Sequence, residues 1–194
     1  MLIADYSNNR VLIYNSIPTS NGEEADLVLG QTSFTAGGSG TSATTLNGPS
    51  DVWSDGNIVM VSDSTNNRIL IWNTFPTSNG QPADVVVGQS NFTSGGSGTA
   101  ANRFHRQWNF SASTTSDQLI VSDLDNHRVL IFNSIPTTNG ASADVVLGQA
   151  NFTTGSSGCS VREFNWPSGV TLYDGDKLLV IDANNHRALI FEGI

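Results

Sequence analysis

Val121-Ser-Asp-Leu-Asp-Asn-His-Arg-Val-Leu-Ile-Phe-Asn-Ser-Ile-Pro136 decides the fold, because related copies occur three more times in the chain. They are Ile3-Ala-Asp-Tyr-Ser-Asn-Asn-Arg-Val-Leu-Ile-Tyr14, Val61-Ser-Asp-Ser-Thr-Asn-Asn-Arg-Ile-Leu-Ile-Trp72 and Val180-Ile-Asp-Ala-Asn-Asn-His-Arg-Ala-Leu-Ile-Phe191. The leading aspartates Asp5, Asp63, Asp123 and Asp182 are 58, 60 and 59 residues apart, so the unit of reading is the repeat. Each copy is an apolar run ending in Asp, a short polar turn, and a second apolar run opened by Arg. Asp and Asn suit the turn because their short side chains bond nearby backbone and tolerate positive φ. The second run does not alternate apolar with polar, which predicts a strand covered on both faces. The neighbours that cover it are the adjacent repeats.

Outward from this hairpin the unit gains two strands. An Asn-Gly pair, at Asn21-Gly22, Asn79-Gly80 and Asn139-Gly140, predicts a hairpin into a third strand at Ala25 to Gln31, Ala83 to Gln89 and Ala143 to Gln149. A Gly/Ser-rich connection follows, opening on Phe34-Thr35, Phe92-Thr93 and Phe152-Thr153. A fourth strand precedes each hairpin: Gly48-Pro-Ser-Asp-Val-Trp53 with the turn Ser54-Asp55-Gly56, and Trp166-Pro-Ser-Gly-Val-Thr171 with Tyr173-Asp174-Gly175. In the third unit Asn109-Phe-Ser-Ala-Ser113 takes this place. Lettered in chain order, a complete unit is A, B, C, D. The expected architecture is all-β, a propeller of four-stranded antiparallel blades with about four blade units, the first lacking strand A and the last lacking strand D. The units run about 1–45, 46–104, 105–163 and 164–194 within a single domain.

Asp-x-x-Asn-Asn/His-Arg-Val/Ile-Leu-Ile with a following aromatic, and Gly-Pro-Ser and Asp-Gly before it, resembles the NHL repeat over nearly the whole chain. Its Val-Leu-Gly-Gln-x-x-Phe-Thr element, at Val28 to Thr35 and Val146 to Thr153, is similar to a bacterial subgroup often found in exported proteins. The resemblance implies an extracytoplasmic or secreted parent, although the chain carries no targeting signal. Met1 aligns with Val59, in mid-strand, so a fragment of a longer protein is expected. The incomplete end units predict open edges, which a homodimer joined end to end would cover, closing a ring of about eight blade positions.

Charge narrows the partners. Charged residues are 13% of the chain, the balance is -9, and four of the eight basic residues are the motif arginines. A phosphate-binding surface needs a cluster of spare Lys or Arg, so nucleic acid is not an expected partner. No apolar run reaches the length of a membrane span. The single cysteine, Cys159, excludes an intramolecular disulfide.

The repeated polar residues Asp5, Asn8, Arg10, Asp63, Asn66, Arg68, Asp123, Asn126, Arg128, Asp182, Asn185 and Arg187 are read as structural, since catalysis rarely needs the same residue in every blade. His127 and His186 stand where Asn9 and Asn67 stand in the other units, which points to a hydrogen-bonding role. Equivalent positions on successive blades are roughly 10 Å apart, too far for two ligands on one metal. Asn91 and Asn151 fit a glycosylation pattern but fall inside the repeat element.

The B–C turns and long D–A loops are expected on one face, where variable loops on a rigid scaffold carry function. There the loop of the third unit departs from its fellows as Asn102-Arg-Phe-His-Arg-Gln-Trp108, making Arg103, His105, Arg106 and Trp108 the candidate ligand-binding residues. The competing structural reading matches Phe104 to Phe164 as core plugs and Trp108 to Trp166 beside the proline. The favoured function is a non-catalytic module that presents one propeller face to a protein, peptide or glycan, with no cofactor or metal. The alternative, implied by the family resemblance, is a metal-dependent lyase or hydrolase working in the central channel. That chemistry needs inward-facing histidines, whereas the channel positions near Val52, Ala112 and Val170 carry none.

Overall fold

The computed structural model describes residues 1–174 and 176–194. The turn expected through Gly175 therefore includes a residue outside the described ones. Among the described residues fourteen strands form four antiparallel sheets, each meandering in chain order. Blade 1 is β1 (Leu2–Asp5), β2 (Arg10–Ile13) and β3 (Leu27–Leu29). Blade 2 is β4 (Pro49–Ser54), β5 (Val59–Asp63), β6 (Arg68–Trp72) and β7 (Val85–Val87). Blade 3 is β8 (Gln107–Ser113), β9 (Gln118–Asp123), β10 (Arg128–Phe132) and β11 (Val145–Leu147). Blade 4 is β12 (Pro167–Tyr173), β13 (Lys177–Asp182) and β14 (Arg187–Glu192). Among the described residues the first blade has no A strand and the last no D strand, as the repeats predict.

The A strands β4, β8 and β12 lie against one another, which makes them the inner strands of a propeller. A side-chain ladder joins them. Asp51 accepts from Asn109 Nδ2 at 2.7 Å and from the Phe110 amide at 3.0 Å, and Asn109 Oδ1 accepts from the Val170 amide at 2.7 Å. Desolvation at this inner position raises the Asp51 carboxyl above its ordinary value, against the pull of these hydrogen bonds. Register places Val52, Phe110 and Val170 opposite the equivalent B-strand residues Val61, Val121 and Val180. Phe110, not Ala112, is thus the third unit's counterpart of Val52 and Val170. The offset arises because Gln107 takes the place of Pro49 and Pro167, so this A strand begins before Asn109.

Apolar faces are buried between blades. Val59, Val61, Leu70 and Trp72 pack with Val11, Ile13 and Leu29, while Met60, Ile69 and Ile71 pack with Phe110, Leu119 and Val121. Every residue of β6 and β10 is buried, whereas β14 alternates half-buried with exposed. A C strand is covered on both faces only when it has a blade on each side.

Three devices seal the seams. First, Gly30, Gly88 and Gly148 end the D strands at positive φ, and a side chain from the next loop fills the space where a Cβ would stand: Leu46, Phe104 and Phe164 respectively. Phe104 and Phe164 are therefore the core plugs their sequence positions suggested, with 0% and 1% exposure. Second, the Asn-Gly pairs do more than turn the chain. Asn79 Oδ1 accepts from the Val28 amide at 3.1 Å and the Gly80 amide donates to Val28 O at 2.9 Å; Asn139 and Gly140 repeat this on Val86 at 2.9 and 3.0 Å. The C–D connections of blades 2 and 3 thus reach back to cap the outer edge of the preceding blade, which hides an edge strand from further pairing.

The third device is the repeated polar motif. Each B strand ends in Asp, a single 3-10 turn follows, and its last orphan position is left-handed: Asn9, Asn67, His127 and His186 at φ 52 to 54°. Asp63 Oδ2 takes Asn66 Nδ2 at 2.8 Å and Arg68 Nε at 2.7 Å, and Oδ1 takes the Asn47 amide at 2.6 Å. The amide bond comes from the D–A loop, not from the turn that the aspartate precedes, as the sequence had suggested. Arg68 then donates to Ser42 O and Thr45 O in the loop entering its blade and to Phe92 O in the loop leaving it. Arg128 does the same with Ala100 O, Arg103 O and Phe152 O. Both pairs are wholly buried, while Asp5 and Arg10 of blade 1 are 24% and 18% exposed at the side chain.

Removing one partner of a buried pair strands the other charge, a loss of about 3–5 kcal/mol, whereas an exposed pair contributes about 1 kcal/mol or less. Asp123→Ala is therefore expected to lower unfolding stability severalfold more than Asp5→Ala in urea titrations. Equal midpoints for the two variants would contradict the structural role.

Candidate functional site

The left-handed turn residue of blades 1, 2 and 3 clasps the start of the next A strand. Asn9 Oδ1 accepts from the Gly48 amide at 2.9 Å and Asn67 Oδ1 from the Arg106 amide at 2.7 Å. In the third seam His127 Nδ1 accepts from the Trp166 amide at 3.2 Å. Asn and His exchange here because both tolerate this backbone and both place an acceptor at the same point. His127 is consequently neutral, with its proton on Nε2.

The clasp fixes three equivalent residues in left-handed backbone: Gly48 at φ 62°, Arg106 at 49° and Trp166 at 58°. Glycine is the unstrained choice, and blade 2 uses it. Bulky residues there are uncommon and mark a position held for a purpose other than turning. Arg106, not Trp108, is the counterpart of Trp166. Trp108 instead matches Ser50 and Ser168, the bulge residues at which each A strand shifts register against its B strand. A bulge re-aims its side chain.

These side chains converge on the face of the B–C turns and D–A loops. Arg106, Trp108, Leu124, Trp166 and Ser168 line a cleft of about 290 Å³. The Arg106 guanidinium lies over the Trp166 ring, 5.2 Å from its centre, and Trp108 packs against Tyr6 with ring centres 5.9 Å apart. Tyr6, Trp108 and Trp166 remain 44%, 40% and 39% exposed, so a row of aromatic surface faces solvent. Through Trp108 and Ser168 the cleft adjoins a second hollow of about 250 Å³, floored by Ser50, Asp51 and Asn109 on the inner strands.

Of the four candidates read from the sequence, Arg106 and Trp108 come together at the cleft. His105 stands beside it, its Nε2 3.7 Å from Asp125 Oδ2, while Arg106 Nη2 holds Asp125 Oδ1 at 2.8 Å. Arg103 is elsewhere: its Nη2 donates to Gly96 O at 2.7 Å and serves its own loop. The residues the sequence reading missed are Trp166, Tyr6 and Leu124. Trp166 was set beside the proline, as the match of Trp108, by the competing structural reading. Its signal was the pairing of two bulky residues, Arg106 and Trp166, with a glycine in register, visible only once Gln107 is aligned with the prolines. Among the described residues no group of three or more His, Cys, Asp or Glu side chains is placed to hold a metal ion.

No family model and no curated protein sequence matches the chain. Among solved structures it is similar to hydrazine synthase of Kuenenia stuttgartiensis, at 14% identity and a TM-score of 0.45, over 75% of this chain and 36% of that one. It is also similar to a humanized mutant of the Chaetomium thermophilum Polycomb Repressive Complex 2, at 12% identity and a TM-score of 0.52, over 97% of this chain and 34% of that one. The second likeness is one of fold alone. The chain spans about a third of each of these neighbours.

Desolvation in the seam lowers the pKa of His127 from its ordinary 6.5, with the charges of Asp125 and Asp182 pulling the other way. A lowered value in the folded state means that the His127 contribution is full above pH 6.5 and is lost as pH falls through the folded pKa. Protonation also puts a hydrogen on Nδ1 and breaks the bond to Trp166. The parent is thus expected to lose more melting temperature than His127→Asn between pH 7.5 and 5, and its Trp166 amide resonance is expected to shift over the same range. Parallel pH profiles for the two proteins would remove the clasp from the account.

Proposed function

We propose that this chain is an NHL-type propeller module that binds without catalysis, presenting the face of its B–C turns and D–A loops to a protein, peptide or glycan. The carrying observation is the exposed aromatic row on that face, with Arg106 and Trp166 held in left-handed backbone around one cleft. Exposed aromatic surface with a polar neighbour is the kind that contributes most to recognition, because large rigid rings lose little conformational entropy on binding. The repeat frame supports the reading, since its polar residues are consumed in holding loops and the variable positions gather at the cleft. On the NHL resemblance, the parent protein is extracytoplasmic or secreted.

Two chains associate end to end in this reading, closing a ring of about eight blade positions. Its support is the outer face of blade 4. Blades 2 and 3 carry Ser62 and Ser122, which donate to the next A strand at Gln107 O and Pro167 O; blade 4 carries Ile181 there, 40% exposed, near Ile190 at 59%. An apolar face in place of a polar clasp suits a copy that offers a B strand first.

The binding reading is tested by probing arrayed peptides and glycans with the parent and with Trp108→Ala. Signals of the parent are expected to fall at least about tenfold in the variant, at an unchanged melting temperature; undiminished signals would move the site off this face. Sedimentation at micromolar concentration is expected to show a dimer of the 20.6 kDa chain, and a monomer alone would overturn the ring.

A further inference from the structure

We infer that the cleft between Arg106, Trp108 and Trp166 takes a neutral glycan, stacking the C–H face of a pyranose ring on exposed indole. This rests on the binding reading above and narrows its occupant to one chemical class.

Much of the main chain around the cleft is already bonded. The Arg106 amide is bound to Asn67 and the Trp166 amide to His127. Trp166 O accepts from the Ala183 amide, Gln107 O from Ser64 and Trp108 O from Ser50. Recognition there falls to side chains. An extended peptide brings its own N–H and C=O groups, which need main-chain partners or a sheet edge once desolvated. The groups bonded above cannot serve it, and turns and loops, not a strand edge, meet at this face.

The side chains suit a sugar. A pyranose has an apolar face of axial hydrogens and a rim of hydroxyls, and an aromatic ring presents a negative face that attracts such hydrogens. Trp108 and Trp166 supply the rings, and among the described residues neither indole N–H has a hydrogen-bond partner in the protein. Each remains a donor for a hydroxyl, as does the Tyr6 phenol beside Trp108. The adjoining hollow offers Ser168 at the edge shared with the cleft and a polar floor beyond it. An amphipathic ligand meets apolar wall and polar floor together.

Charge selects a neutral glycan. The one cation at the cleft, Arg106, is paired with Asp125 at 2.8 Å and stacked on Trp166. With the chain at -9, an acidic polysaccharide would be repelled more than it is held.

The test titrates the intact chain with cellohexaose, chitohexaose and mannohexaose, reading tryptophan fluorescence and calorimetric heat. A sulfated hexasaccharide and decaproline serve as the opposing arms. At least one neutral hexasaccharide is expected to bind and shift the emission. Affinity is expected to fall at least about tenfold in Trp108→Ala and Trp166→Ala, and to be largely kept in Trp166→Phe, which retains a ring. Circular dichroism melts establish that each variant is folded. Failure of all three neutral hexasaccharides overturns the inference, as does tighter binding of the sulfated one. If decaproline binds instead, in a manner that Trp108→Ala abolishes, the glycan falls while the binding face stands. Glycan binding that both alanine variants leave intact removes the cleft from both readings.

Discussion

Everything in this fold hangs from a carboxylate and a guanidinium taken out of water together. Asp63 with Arg68, and Asp123 with Arg128, stand at the B–C corner of each inner blade, where no solvent reaches. Such a pair is tolerable only if every lone pair and every N–H finds a partner. The guanidinium finds them in main-chain carbonyls of two loops that have almost no secondary structure to satisfy them. The long Gly/Ser-rich connections are therefore ordered by side chains from the sheet, and their order is the condition for a defined surface above it. The same motif behaves oppositely where solvent enters. Burial raises the Asp63 and Asp123 carboxyls, with Arg68 and Arg128 opposing, whereas in blade 1 the hydrogen bond from Asn8 and the charge of Arg10 outweigh desolvation and lower that of Asp5.

The seams between blades add a second layer of specification. Apolar packing alone would let sheets slide, since aliphatic side chains interlock with little directional preference. Three directional contacts remove that freedom: the plug under the D-strand glycine, the Asn-Gly cap on the preceding D strand, and the acceptor that the left-handed turn residue offers to the next A strand. Each joins residues far apart in the chain, so each fixes the angle between whole sheets.

A frame held this firmly can carry strained and exposed residues where a turn alone would want glycine. Blade 2 keeps Gly48 at the clasped position and Ser50 at the bulge; blade 3 has Arg106 and Trp108, and blade 4 has Trp166 and Ser168. The cleft is the sum of these departures, and it falls at one seam because the blades are side by side. The proposed affinity for a glycan is thus a property of variation on an unvarying scaffold.

The sequence by itself determined the blade count, the strand content of each blade and the structural role of the repeated polar residues. Period, patterning and turn chemistry are local quantities, written within a few residues of where they act. The plugs Phe104 and Phe164 were legible for the same reason, as aligned aromatic positions in aligned loops. Tertiary structure alone decided the rest. It put Arg106 rather than Trp108 in register with Trp166, because a bulge and the missing proline hid the true start of the third A strand. It sent the Asn-Gly pairs to the neighbouring blade, and it separated Arg103 from a cleft that Trp166, Tyr6 and Leu124 complete. Those outcomes depend on which sheet faces which, a relation set by burial between segments some sixty residues apart, and no local pattern encodes it.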